Sequence, residues 1–257
     1  MDNRKRAVII GMALGDGHVQ VRERPRKKVE PYVERTMRIL HGADQRQYCE
    51  FKAKRLGWAL GGKQINVHKV KNGPGGKHDG YHFTVNHPYF GQVRRWLYPG
   101  GKKRYTERVL NMLNPEGIAY WYMDDGTARR NIDKDGWITS ISTEISTMCS
   151  EHDAILIADW FKAEYGIEWK IRRDKRKKPD RAFYIACNTE NSHEFAAVVA
   201  PYVPDCMKYK LSHVAGVKSH ERQAPVGECT KCGEILYANR RRGLCCKCYT
   251  QDLRAMR

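Results

Sequence analysis

The 257-residue chain has no uninterrupted apolar run approaching the length that crosses a bilayer, so a transmembrane helix is not expected. Acidic residues are scarce: 29 Asp and Glu stand against 47 Lys and Arg, a net charge of +18. Such a balance concentrates polyanions, of which nucleic acid is the commonest, with a membrane surface as the rival. A convincing leader is also missing. "MDNRKRAVIIG" sets basic residues before an apolar stretch that is short, broken by Gly11 and followed by no cleavage pattern. An intracellular protein with no membrane partner is therefore expected. There is no disulfide framework either, since the nine cysteines are odd in number. Cys49, Cys149, Cys187 and Cys206 are scattered, as thiols in a reducing compartment would be. What remains is ample for a core: 41% hydrophobic content argues against wholesale disorder, and the length allows one large domain or two moderate ones.

The order of elements repeats. An apolar helix ends at Asp16, and a strand-like "RTMRIL" (35–40) and a helix-like segment (43–57) follow. Strand-like runs at 63–70 and 81–86 and a helix-like run at 88–98 complete the first copy. A second apolar helix ends at Asp125. After it come strand-like "WITSIST" (137–143), a helix (150–166), strands at 168–173 and 181–187, and a helix at 191–202. Asp44 and Asn191 are candidate N-caps. Identity between the copies is low, so the repeat rests on order and spacing. The fold class expected is α+β, with two pseudo-symmetric αββαββα halves at 1–113 and 114–213. A mixed linker (214–227) leads to a cysteine module at 228–257.

Each copy opens on a helix that runs into Asp-Gly: "IIGMALGDG" (9–17) and "IAYWYMDDG" (118–126). Gly11 and Gly15 lie four apart on one face, and Ala119 is the small residue of the second helix, so the two backbones can pack closely. Asp16 and Asp125 would then meet at the negative ends of two helix dipoles, a conflict that a cation relieves. Paired carboxylates with helix-end carbonyls make a hard, oxygen-rich site for Mg²⁺. Gly17 and Gly126 suit the left-handed turn that ends a helix. Either motif alone reads as an ordinary helix cap. Two, each heading a copy of one repeat in a basic chain, favour a paired metal site.

These two stretches resemble the signature helices of the double-motif LAGLIDADG homing endonucleases. The first keeps Gly11, Gly15, Asp16 and Gly17 and departs at Ile10, Ala13 and Leu14; the second keeps Ala119, Asp124, Asp125 and Gly126 but has Tyr120 where the family has Gly. The similarity extends through "MRILHGADQRQYCEFK" (37–52), "YPGGKKRYT" (98–106) and "PYVPDCMKYKL" (201–211), covering roughly residues 7–213. It implies a monomer with saddle-shaped antiparallel sheets in the DNA major groove. The acids Asp16 and Asp125 would bind divalent metal, Mg²⁺ or Mn²⁺, over the minor groove, each serving the cut in one strand. The backbone carbonyls of Gly15 and Asp124 would also reach the metal. Active-site lysines are implied at Lys103 and Lys210, just after the last helix of each copy, with Lys102 and Lys208 as the nearest alternatives.

Two basic runs fall at hairpin positions, "RERPRKK" (22–28) and "KIRRDKRKKPDR" (170–181). Charge runs are commonly solvated faces, but on sheets that straddle a duplex they would position phosphates while strand residues read base edges. The candidates are Arg22, Arg24, Arg26, Lys27, Arg35, Arg38, Lys63, Gln64, Lys69, Lys170, Arg172, Arg173, Arg176 and Arg181. Near the C-terminus, Cys229-x2-Cys232 and Cys245-x2-Cys248 match a tetrahedral Zn²⁺ site in a segment too short for its own core, with Cys246 spare. Arg240, Arg241 and Arg242 make this zinc module a candidate accessory DNA grip, with a purely structural or protein-binding role as the other readings.

A site-specific endonuclease of double-stranded DNA is the leading expectation. An RNA-binding maturase acting on intron RNA and a DNA-binding regulator with an inactive core are the alternatives. Both acids and both lysines favour catalysis, since a pure binder needs none of them. Splice-junction residues are absent at Met1 and Arg257, so an intein is not expected.

Overall fold

The structure is a computed structural model that describes residues 1–26, 29–71, 79–214, 221–237 and 241–255. Helix α1 (Asn3–Leu14) starts where the Asp2 carboxylate accepts the Lys5 amide at 2.8 Å. A hairpin follows, β1 (His18–Arg26) and β2 (Val29–Gly42), then α2 (Arg46–Ala59), β3 (His68–Val70), β4 (Gly80–Asn86), α3 (Phe90–Leu97) and a short α4 (Glu107–Leu110). Helix α5 (Pro115–Asp125) opens the second half. The Asn114 side chain caps it, accepting the Gly117 amide at 2.9 Å, and Pro115 fills the first turn, where no amide partner is needed. The order then recurs as β5 (Gly126–Ile132), β6 (Ile138–Cys149), α6 (Glu151–Tyr165), β7 (Lys170–Arg173), β8 (Phe183–Cys187) and α7 (Thr189–Val199).

Both four-stranded sheets are antiparallel and share one strand order, β1-β2-β4-β3 and β5-β6-β8-β7. The expected α+β duplication is the architecture observed. Local details differ. Residues 126–132 form a strand not anticipated from sequence, and in the run 63–70 only His68–Val70 pairs. Asp44 lies inside a 3-10 turn, and α7 is capped by Asn188, not Asn191. The Asn191 side chain instead accepts the Glu168 amide at 2.6 Å.

Helices α1 and α5 form the centre. Ala7 to Leu14 and Ile118 to Met123 are at most 1% exposed, so both helices are enclosed on every side. A side chain at Gly11 would run into the Gly117 carbonyl, and one at Gly117 would stand 2.5 Å from the Ala7 carbonyl. The small partner of Gly11 is therefore Gly117, not Ala119. One turn earlier in α5, Gly117 compensates for Tyr120 in the place of the family's glycine. Gly17 and Gly126 lie outside the left-handed region; they are glycine because a Cβ would strike the Met12 carbonyl or the Tyr122 ring. Around this axis Trp121 stacks with Tyr105 and Phe161, and Tyr122 packs edge-on to Phe195. Among the described residues no helix is long and apolar enough to cross a membrane.

Gly11→Ala should cost about 3 kcal/mol, because the clash is with backbone that cannot rotate away. Urea unfolding checks this against Gly42→Ala, where a methyl meets nothing and φ is −67°; that control should move stability by less than about 1 kcal/mol.

Candidate nuclease site

The paired helices deliver their acidic ends to one cleft of about 530 Å³, lined by Gly15, Asp16, Lys103, Tyr105, Asp125 and Arg181 among others. Gly15 has no side chain because the Asp124 carboxylate occupies that space. The Asp124 side chain is fully buried, and its two oxygens accept the Asp16 amide at 2.9 Å, the Tyr48 hydroxyl at 2.9 Å and the Lys52 ammonium at 2.6 Å each. Lys52, also fully buried, stands 3.3 Å from His41 Nε2, and His41 Nδ1 is 3.5 Å from the Asp16 carboxylate. Burial, aided by the Lys52 charge, pushes His41 down to about 4, so it is neutral near pH 7. Asp124 was expected to contribute only a backbone carbonyl. Its side chain is instead saturated by these contacts, and Lys52, Tyr48 and His41 were not anticipated beside the site. A lysine four residues after a tyrosine on an amphipathic helix carried no signal until a buried acid faced them.

The two terminal acids are less satisfied. Burial and then the Asp124 charge raise the Asp16 carboxyl above its usual range, although 43% of that side chain is exposed. Asp125 is raised from 3.8 to about 7, chiefly by burial. Lys103 donates to the Leu14 carbonyl and, at 3.2 Å, to the Gly15 carbonyl; Lys210 donates to the Gly126 carbonyl at 2.7 Å. Burial lowers both ammonium groups, against the pull of the nearby aspartates. Of the alternatives, Lys102 lines the same cleft but is exposed at its edge, 3.7 Å from Asp180, while Lys208 is exposed and 2.6 Å from Asp205. A buried ammonium already rests on the end carbonyls of α1, so this place attracts a cation. Carboxylate and carbonyl oxygens are the donors that hard divalent ions prefer, and the residues fit such an ion.

Strand alternation sorts the candidate DNA contacts. Val19, Met37, Ile39, Phe83 and Val85 face the helices, so Arg22, Arg24 and Arg38 lie on the open face of the first sheet. In the second sheet Lys170 and Arg172 share the open face with Arg129, which sequence reasoning did not single out. Several candidates lie elsewhere. Arg35 has the parity of Met37, and its guanidinium lies against Gly91 of α3 and donates to the Val33 carbonyl. Lys69 pairs with Asp79 at 2.7 Å opposite Tyr81, on the helix-side parity, and Arg173 sits over the Phe183 ring on the equivalent side of β7. In each case an even spacing from a core residue turned the side chain away from the open face. Lys63 and Gln64 precede β3 in irregular chain, with Lys63 donating to the Asn86 carbonyl. Arg176 is engaged by Asp174 in the β7–β8 loop, and Arg181 lines the cleft, not a hairpin tip. Lys27 and Arg240 lie outside the described residues, as do the side chains of Arg26 and Arg241. Arg242 follows in a short 3-10 turn.

The four cysteines of the C-terminal module converge, with Cys229, Cys232, Cys245 and Cys248 sulfurs all within 4.8 Å of one another and Cys246 exposed outside the group. Cys232 and Cys245 sulfurs are 3.8 Å apart, about the edge of a tetrahedron with Zn–S bonds of about 2.3 Å. The Cys245 amide donates to Cys229 Sγ at 3.3 Å and holds that thiol down to about 6. The donor set fits zinc. Strands β9 (Gly227–Glu228) and β10 (Ile235–Leu236) and helix α8 (Cys246–Ala255) frame it. Part of the expected linker is not loose: the Ile138 amide donates to Glu221 at 2.9 Å and the Gln223 amide to Gly136 at 2.8 Å. The segment thereby clamps the β5–β6 turn, where Gly136 (φ 89°) leaves room for the Tyr237 ring.

Two like halves joined along closely packed helices, each helix presenting an acid to a shared cleft between antiparallel sheets, define a pseudo-dimeric carboxylate-centred fold. The chain matches the LAGLIDADG DNA endonuclease family over residues 6–195 and belongs to that family. It is 30% identical over 210 residues to protein RecA of Mycolicibacterium flavescens, covering 79% of this chain and 45% of that protein. To the DNA endonuclease I-ChuI of Chlamydomonas applanata it is 28% identical over 134 residues, 51% of this chain and 55% of that one. The chain thus spans about half the length of these curated relatives. The solved structure of the homing endonuclease I-WcaI bound to its DNA recognition sequence shares the fold, with a TM-score of 0.62 at 20% identity over 82% of this chain and 86% of that one.

The raised Asp125 carboxyl has a measurable consequence in metal-free buffer. Above about pH 7 the folded state carries a charge that burial disfavours; below about 3.8 both folded and unfolded states are protonated. Asp125→Asn should therefore be more stable than the parent by about 2 kcal/mol at pH 8, allowing for its partial exposure, with the advantage vanishing as pH falls through 7 towards 4. Thermal unfolding at a series of pH values tests it.

Proposed function

We propose that the chain is a site-specific, divalent-metal-dependent endonuclease that cuts both strands of double-stranded DNA and acts as a monomer inside the cell. One observation carries the reading: Asp16 and Asp125, at the ends of α1 and α5, line one cleft between two sheets of identical strand order. Asp16 and Asp125, with the Gly15 and Asp124 carbonyls, would hold the metal, Mg²⁺ or Mn²⁺. A divalent ion there lowers the pKa of water and offsets charge on a phosphodiester under attack. Lys103 and Lys210, buried beside the acids and anchored on helix-end carbonyls, are placed to stabilise charge developing on phosphate oxygens or to orient water. The open faces of the two sheets, carrying Arg22, Arg24, Arg38, Lys170 and Arg172, supply phosphate and base contacts. With zinc bound, the C-terminal module adds a further grip at the end of the second sheet, beside the β5–β6 turn that the preceding segment clamps.

A plasmid library with randomised inserts, incubated with the protein, tests this directly. In Mg²⁺ a defined subset should be linearised. Ca²⁺ in place of Mg²⁺, or the Asp16→Asn/Asp125→Asn double variant, should leave it intact, and binding should weaken steeply as salt rises. Tight RNA binding with no cut in any member would overturn the endonuclease in favour of an RNA-folding role.

For the module, a thiol-competing chelator should release zinc and shorten the DNA footprint at one end only, leaving thermal unfolding of the two halves unchanged. A footprint unaltered by chelation would show that the module makes no DNA contact.

A further inference from the structure

The Lys52–Asp124 pair breaks the twofold repeat. In the signature helices Asp124 stands where the first copy has Gly15. Aligned at the starts of α2 and α6, Lys52 corresponds to Ile157 and Tyr48 to Asp153. Ile157 is a fully buried apolar residue, and Asp153 turns to Arg104 at 2.8 Å. Among the described residues no second buried ammonium–carboxylate pair therefore lies under the second helix end. The Asp16 amide is held by Asp124 and its carboxylate faces His41, whereas among the described residues no hydrogen-bond donor reaches the Asp125 carboxylate.

Stability alone does not account for this arrangement. A buried ion pair gains little over well-packed apolar residues, and the symmetry-related place is filled by Ile157 of the second half and Gly15 of the first. Nor is the Asp16, His41 and Asp124 group a three-ligand metal site, although its atoms lie within 4.8 Å of one another. Four donor contacts saturate the Asp124 oxygens, and the Lys52 ammonium occupies the place of a cation. The opposite charges of Lys52 and Asp124 act on Asp125 in opposing senses, whereas the one hydrogen bond that Asp124 makes to a reacting acid, among the described residues, is to the Asp16 amide at a helix end, where an amide without a fixed partner would let the carboxylate drift. Displacements of about 1 Å at a reacting group cost on the order of a hundredfold in rate.

We propose that Lys52, acting through Asp124, is a positioning residue for Asp16 alone, so that the pair sets unequal rates for the two strand cuts. This rests on the endonuclease reading, but its test does not depend on it entirely. The variants are Lys52→Met and the double variant Lys52→Met/Asp124→Ala. The double variant leaves no unpaired charge buried and carries the test if the single variant does not fold. The first readout needs no cutting: hydrogen exchange at the Asp16 amide, followed by NMR, should be at least tenfold faster in the double variant, with the Asp125 amide unchanged. The second uses a strand-labelled target duplex in Mg²⁺, the strand belonging to Asp16 being identified by Asp16→Asn. Cutting of that strand should slow tenfold or more and the other by less than twofold, so that nicked product accumulates. Unchanged Asp16 exchange, or equal rates of loss on both strands, would overturn the proposal. If the parent protein cuts no DNA at all, the endonuclease reading fails, while the exchange experiment still decides whether the contact fixes Asp16.

Discussion

The contact between α1 and α5 is the constraint from which the rest of the molecule follows. Gly11 and Gly117 meet backbone to backbone, and Gly15 yields its side-chain space to Asp124. Because the helices are enclosed from Ala7 to Leu14 and from Ile118 to Met123, neither can rotate or slide without emptying the core. That fixed register brings the helix ends, and so Asp16 and Asp125, to one cleft. It also sets the two sheets on either side of a common axis.

Bringing helix ends and acids together concentrates negative charge where the helix dipoles already oppose it. The protein answers with ammonium groups. Lys103 and Lys210 bind end carbonyls, and Lys52 neutralises Asp124 in the interior. The acids nearest the cleft stay incompletely compensated, which is why burial lifts Asp125 to about 7. Unrelieved charge of this kind works against stability, and such conflicts cluster at ligand-binding sites. The far end of α5 follows ordinary rules: Glu116 in its first turn is fully paired, with Arg4 at 2.8 Å and Arg55 at 2.6 Å.

The halves share strand order but differ at their edges. In the first, the basic run lies along β1, where alternation puts Arg22 and Arg24 on the open face. The second has acids at the matching turn, Asp133 and Asp135; the linker reaches that turn through Gln223, and Tyr237 of the C-terminal module packs against its Gly136.

Several features could be read from the residues themselves: the duplication, the α+β class, the two Asp-ending helices and the spacing of the four cysteines. Each depends on local order, on apolar periodicity or on the short reach of neighbouring ligands, all of which a linear sequence records. The direction of Arg35, Lys69 and Arg173 could not be read, because a shift of one residue in strand register exchanges the two faces of a sheet. Nor could the role of Gly17 and Gly126, which are needed for space and not for a left-handed turn. Least visible was the cluster of His41, Tyr48, Lys52 and Asp124: its members lie on β2, α2 and α5, and only the packing of those elements places a buried ammonium against a buried carboxylate. Sequence determines what each segment can form; which charges share a dry interior is decided by how the segments pack.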